Sequence, residues 1–179
     1  LWDNTVVVLF GDHGFHLGDH GMWTKHTNYE QATRIPLLLR APGVTKPGSV
    51  TRQLAETVDI FPTLAELAGL ASPQVPQPLD GISLVPVLKQ PDVRVRDHAY
   101  HAFPRGAFLG RAIRTERYRL VEWTPLRNGN GNDRTVLELY DFETDPLETR
   151  NQAATQPEVV KQLSAILAKH PKAEPAVRE

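Results

Sequence analysis

The run Thr5-Val6-Val7-Val8-Leu9-Phe10, broken at once by Gly11-Asp12-His13-Gly14, constrains this chain more than any other feature. Consecutive β-branched and apolar residues without alternation predict a strand buried on both faces of a sheet that helices cover. A second run, Ile35-Pro36-Leu37-Leu38-Leu39-Arg40, closes at Ala41-Pro42-Gly43, and Pro36 near its start suits an edge or first residue. In such α/β sheets ligands bind beyond the carboxyl ends of strands, which is where Asp12 and His13 stand.

The remaining chain divides by periodicity. Thr57 or Asp59 can cap a helix whose apolar residues Phe61, Leu64, Leu67 and Ala68 recur near 3.6, with Pro62 in its first turn and Gly69 beyond its end. A turn and short helix follow over 80–88, after a proline-rich link over 72–78. From Asp97 the pattern becomes antiparallel β, in short segments over 98–103, 110–114, 118–123 and 135–140. Asn128 to Asp133 reads as a surface loop, and Pro157 opens an amphipathic helix through Val160, Leu163, Ile166 and Leu167. The expected organisation is a first part over 1–96, an antiparallel sheet with a helix over 97–171, and a tail over 172–179.

Composition excludes several partner classes. The chain has 179 residues, 20 basic against 21 acidic, with no basic block. Nucleic acid and anionic membrane surfaces are therefore not expected partners. No apolar run reaches the roughly 20 residues that span a bilayer. Cysteine is absent, which rules out disulfides and thiolate metal sites. The chain opens on Leu1, almost directly in the first strand, and reads as a processed chain or a piece of a longer frame.

Chemistry concentrates between Asp12 and Lys25. A carboxylate beside an imidazole offers two kinds of metal donor, and the flanking glycines let the backbone approach a ligand closely. Lys25 adds a mobile cation suited to an anionic substrate. Taken alone, Asp12-His13-Gly14 fits an Asx-type turn as well as it fits a metal site.

The longer run Gly11-Asp12-His13-Gly14-Phe15-His16-Leu17-Gly18-Asp19-His20-Gly21-Met22-Trp23-Thr24-Lys25 resembles the sulfatase family, in which a hydrophobic strand leads to Asp-His-Gly, Leu-Gly-Asp/Glu-His-Gly and Trp-x-Lys. The resemblance continues in Glu30 to Leu37, Val58-Asp59-Ile60-Phe61-Pro62-Thr63-Leu64, Arg111 to Tyr118 and Glu138 to Pro146. With Phe103-Pro104-Arg105, it is nearest to the iduronate-2-sulfatase type. It implies the C-terminal part of an alkaline-phosphatase-like α/β sheet, followed by a small antiparallel sheet and a C-terminal helix.

The same resemblance implies that Asp12 and His13 are metal ligands and that Lys25 binds the sulfate ester and acts catalytically. The remaining ligands, an aspartate pair and a formylglycine made from Cys or Ser, would lie upstream of Leu1. Calcium is the metal so implied, although an imidazole ligand suits zinc or manganese better. The implied substrate is a sulfated carbohydrate such as a glycosaminoglycan uronate, the implied partner is the N-terminal part of the same enzyme, and the compartment is periplasmic, secreted or lysosomal. A phosphate or phosphonate ester hydrolase of the same superfamily, and a non-catalytic subunit completing a partner chain, are the alternatives.

Further residues receive provisional roles. Phe15 is placed at the sugar pocket, with loop packing as its competing role, and Arg105 is a candidate for capturing a uronate carboxylate or sulfate through its guanidinium. His20 is expected to fix the loop by hydrogen bonding, His16 to be exposed, and His26 to have no role. His98 and His101 alternate on a strand and read as structural. Trp123 and Tyr140 read as core or interface aromatics, and Asp141 to Pro146 as a turn.

Overall fold

The computed structural model describes residues 1–70, 76–126 and 134–172. Most of the link over 72–78, the loop over 128–133 and all but the first residue of the tail over 172–179 lie outside the described residues. The chain forms two compact units, one from Leu1–Asp12 and Ile35–Ala99, the other from His13–Arg34 and Tyr100–Glu179. The boundary falls between Asp12 and His13, so the loop following the first strand packs with the C-terminal residues.

In the first unit β1 (Val7–Phe10) pairs antiparallel with β2 (Leu37–Arg40), with Val8 opposite Leu39 and Leu9 opposite Leu38. Both runs become strands because β-branched and apolar side chains fit a pleated surface. The expected burial on both faces does not hold among the described residues: Val7, Leu9, Phe10 and Leu38 are exposed. Each strand has only the other as a sheet neighbour among the described residues, and Val8, Leu37 and Leu39 are half-buried.

A 3-10 turn (Thr57–Asp59) leads into α2 (Ile60–Leu67), the second helix after the short α1 (Glu30–Thr33). Asp59 is the N-cap of α2, one of the two expected positions, without a side-chain capping bond into the helix. Glu56 caps the preceding 3-10 turn, and Asp59 reaches back to accept the Glu56 N–H at 2.8 Å, forming a capping box. Gly69, at φ 68°, donates to Glu66, and Leu70 donates to Ala65, which is the Schellman closure that glycine permits. The helix buries Thr63 and Ala65, whereas Phe61 and Leu64 of the expected apolar stripe are exposed. Asp59, fully buried, also accepts from Ile82 N–H at 2.8 Å and pairs with Arg96, tying α2 to the stretch before α3 (Val85–Lys89).

The second unit is built on a four-stranded sheet in the order β3 (Ala99–Arg105), β4 (Phe108–Arg114), β5 (Tyr118–Pro125), β6 (Val136–Asp141). β4–β5 and β5–β6 are antiparallel, and the register sets Ile113 opposite Leu120 and Leu120 opposite Leu139. That face carries α4 (Pro157–Leu167), whose Leu163 and Leu167 close a core with Ile113, Leu120 and Leu139. Burial of each such side chain contributes about 2 kcal/mol.

The other face carries Gly110, Ala112, Arg114, Arg119, Val121 and Tyr140, which share one side because side chains alternate along strands. Residues 13–34 lie over it: Asn28 sits on the Gly110 carbonyl and Tyr29 packs edge-on against Tyr140 at 5.8 Å. A β-carbon on Gly110 would stand 2.3 Å from the Asn28 amide, so glycine is what lets this segment approach. Asp141 to Pro146 forms the expected turn, closed by Asp145 N–H to Asp141 O at 2.7 Å.

Candidate functional site

The loop after β1 is shaped by close backbone approaches. Gly14 donates its N–H to Ala32 O at 2.8 Å, and a β-carbon on it would meet the Gln31 carbonyl oxygen at 1.9 Å, so residues 13–14 can lie against α1 only with glycine there. His16 N–H bonds Thr24 O at 2.8 Å, closing a lobe that turns through Gly18 and a 3-10 turn, Asp19–Gly21.

His16 corrects the expectation of exposure, because its side chain is fully buried. Its Nδ1 faces the Asp19 carboxylate and its Nε2 meets the Thr27 hydroxyl at 2.7 Å. His16 thus bridges the two sides of the lobe: its backbone N–H holds Thr24 and its ring holds Thr27, the two threonines that bracket Lys25. Burial is tolerated because both ring nitrogens have partners. The loop-fixing role expected of His20 belongs to His16; His20, at φ 54°, stacks on Tyr29 with ring centroids 4.1 Å apart.

This lobe brings His13 and Lys25 together. Lys25 Nζ lies 2.6 Å from His13 Nε2, and His13 Nδ1 lies 2.7 Å from Gly14 O. A carbonyl only accepts, so Nδ1 carries the proton; an ammonium only donates, so Nε2 presents its lone pair. That tautomer is the one a metal-ligating imidazole requires, with the second nitrogen fixed by a backbone carbonyl. Asp12, exposed, precedes His13 directly in the chain.

The donor set from this chain is small. Among the described residues no three His, Asp, Glu or Cys side chains are grouped to hold a metal ion. A carboxylate such as that of Asp12 and an imidazole such as that of His13 are each donor types that divalent cations accept. Phe15 is exposed on the lobe, Arg105 is exposed at the end of β3 before the Gly106 turn, and the Lys25–His13 contact includes neither. His26, given no role, stacks on Phe103 at 5.5 Å.

Beneath the lobe lies an ion network that sequence reasoning missed. Arg114 Nε and Nη2 bond the Glu30 carboxylate at 3.0 and 3.1 Å, and Arg119 donates to the same carboxylate and to Asn28 O. Glu148 accepts the Glu30 N–H at 2.7 Å and pairs with Arg119 Nε at 3.2 Å. Burial pushes the Glu30 carboxyl up, but its hydrogen bonds from Arg114 and the charges of Arg119 and Arg114 outweigh that and hold it below its usual range. Burial raises the Glu148 carboxyl, with the Arg119 charge opposing. The signal for this network was Arg119 itself, a cation inside the apolar stretch Tyr118-Arg119-Leu120-Val121.

Comparison with known proteins gives the family. A family model described as N-sulphoglucosamine sulphohydrolase, C-terminal, matches residues 18–173, and the chain belongs to that sulfatase family. It is 35% identical over 93% of its length to a delta 4,5-hexuronate-2-O-sulfatase of Bacteroides thetaiotaomicron, and 30% identical over 84% of its length to iduronate 2-sulfatase of Mus musculus. The matches span 33% and 38% of those relatives, so the chain corresponds to about a third of their length.

Solved structures agree. One, determined in complex with its substrate D-glucosamine-2-N,6-O-disulfate, superposes with a TM-score of 0.80 at 31% identity, covering 93% of this chain and 34% of that one. A phosphonate monoester hydrolase of Agrobacterium radiobacter superposes with a TM-score of 0.76 at 28% identity, covering 95% of this chain and 36% of that one. The architecture is thus that of the C-terminal part of the sulfatase fold.

Proposed function

We propose that this chain supplies one side of the active centre of a sulfatase that hydrolyses sulfate esters of carbohydrates, of the iduronate-2-sulfatase type. The observation that carries the reading is the pairing of Lys25 with the Nε2 of a tautomerically fixed His13, on a loop that follows Asp12. In this reading Lys25 binds the sulfate and offsets negative charge on the leaving oxygen, an electrostatic role exerted most strongly in the transition state. Asp12 and His13 hold a cation, calcium by family resemblance with zinc or manganese as alternatives. When bound, that cation supplies charge that orients the sulfate oxygens and stabilises the hydrated aldehyde of the formylglycine.

The formylglycine and the remaining ligands belong to the N-terminal part of the same enzyme. That part also covers the exposed apolar residues of the two strands, Val7, Leu9 and Leu38 on one face and Phe10 on the other, which have the character of an interface rather than a solvated surface. Phe15 lines the sugar pocket and Arg105 captures a substrate carboxylate.

A second reading is favoured by one observation, the superposition on a phosphonate monoester hydrolase. The two separate by assaying the full-length protein with an aryl sulfate, a sulfated uronate disaccharide and a phosphonate monoester. The sulfate esters are expected to turn over faster, and a kcat/KM higher for the phosphonate ester would reject the sulfatase reading. The 179-residue chain alone is expected to be inactive, and its turnover of an aryl sulfate would reject the placement of the nucleophile outside it.

A further inference from the structure

Glu148 lies outside every motif that points to the site, yet its side chain is fully buried and its backbone is left-handed, at φ 56°. That region is sterically disfavoured for a residue with a β-carbon, so the surrounding structure must hold it there. What the conformation achieves is visible in its contacts. Glu148 Oε2 accepts the N–H of Glu30 at 2.7 Å, and its other oxygen faces Arg119 Nε at 3.2 Å.

Glu30 is the first residue of α1, and its N-cap, Tyr29, makes no side-chain capping bond. The cap therefore arrives from Glu148, 118 residues further along the chain. From α1 the connection to the site is short. Ala32 O takes the Gly14 N–H at 2.8 Å, Gly14 is pressed against Gln31, and the preceding residue is His13, whose Nε2 meets Lys25. At the other end of the lobe Arg119, the ion-pair partner of Glu148, donates to Asn28 O.

We infer that Glu148 is a positioning residue for the active-site loop, a remote helix cap that fixes α1 and thereby the relative placement of His13 and Lys25. The effect on turnover rests on the sulfatase reading above; the effect on the loop does not. Small misplacements of reacting groups reduce turnover sharply while substrate affinity, spread over many contacts, changes less.

The test compares Glu148→Gln, Glu148→Ala and Glu148→Gly in the full-length protein, by amide hydrogen exchange and by steady-state kinetics on an aryl sulfate. Gln keeps an oxygen for the Glu30 N–H and is expected to retain near-wild-type protection over residues 14–32. Ala removes that oxygen and is expected to speed exchange there roughly tenfold and lower kcat by a similar factor, with KM changed by less than about threefold. Gly relieves the left-handed backbone but also lacks the oxygen, and is expected to share the loop and kcat defects of Ala even where its melting temperature recovers.

Exchange that rises equally in the loop and in β4 to β6, or full recovery of the loop by Gly, would overturn the inference, since the carboxylate would then serve the fold alone. An inactive wild-type enzyme would defeat the sulfatase reading, while the exchange comparison would still decide the role of Glu148.

Discussion

Lys25 Nζ and His13 Nε2 stand 2.6 Å apart, so an ammonium occupies the lone pair that the proposed metal site needs. In the proposed enzyme a cation at His13 would take that lone pair and release Lys25 toward the sulfate, where its charge would act on the leaving oxygen. Lys25→Ala in the full-length enzyme is expected to lower kcat by about two to three orders of magnitude, the range for loss of a group that stabilises transition-state charge. Lys25→Arg should recover only a small part, because the planar guanidinium cannot reproduce the point charge at the same place. Steady-state kinetics on an aryl sulfate would check this, and an unchanged kcat in Lys25→Ala would remove Lys25 from the chemistry.

Gly14 sets the position of His13 through space rather than through φ. Its replacement by alanine puts a β-carbon 1.9 Å from the Gln31 carbonyl oxygen, and backbone on both sides leaves no flexible group to yield. The Gly14–Ala32 bond must then lengthen or break. Gly14→Ala is expected to cost about 2–4 kcal/mol of stability, in line with overpacking against an unyielding neighbour. Gly81→Ala, whose β-carbon would meet Val58 O at 2.0 Å in the other unit, serves as a comparison. Metal affinity measured by calorimetry on folded protein should weaken with Gly14→Ala and hold with Gly81→Ala.

His16 is the interior strut of the same lobe. Its loss leaves the Thr27 hydroxyl without its imidazole partner and removes the contact to the Asp19 carboxylate. Unsatisfied buried polar groups cost about 1–3 kcal/mol each, and His16→Ala adds a cavity. The variant is expected to unfold about 2–4 kcal/mol more easily in urea. His16→Asn, whose amide can replace one of the two contacts, should lose less. Equal stability of His16→Ala and wild type would show that the lobe is held from elsewhere.

How legible this was depended on the range of the interaction. The strands of the second sheet and α4 followed from local alternation and 3.6 periodicity, because the faces they bury lie within one unit. β1 and β2 were legible as strands but not as exposed ones, since Val7 and Leu38 report what the sheet is built to bury and not what this chain covers. The closeness of His13 and Lys25 was legible through the glycine-spaced motif. The burial of His16 was not, as it depends on Thr27, 11 residues away, closing over the ring. Glu148 was invisible for the stronger reason that its partner Glu30 is brought to it only by the completed sheet.

His101 offers a pH dependence with a definite sign. It lies on β3 with its Nε2 buried, and burial first, then the positive charge of Arg119, depress its pKa from 6.5 to about 3, against opposing pulls from a backbone hydrogen bond with Asn28 and the charge of Glu30. Between pH 6.5 and about 3 the unfolded chain therefore binds a proton that the folded chain does not. Stability must fall as pH drops through that window, by up to about 1.4 kcal/mol per unit and a few kcal/mol in total. Glu30, depressed from 4.5, adds a loss that begins inside the lower part of the same window, whereas Glu148, raised, contributes in the opposite direction, so the total curve mixes signs. The difference between wild type and His101→Gln isolates the imidazole. Urea unfolding at pH 7.0 and pH 5.0 should show wild type losing roughly 1–2 kcal/mol more than the variant, and parallel losses in both would mean that His101 is protonated in the folded state.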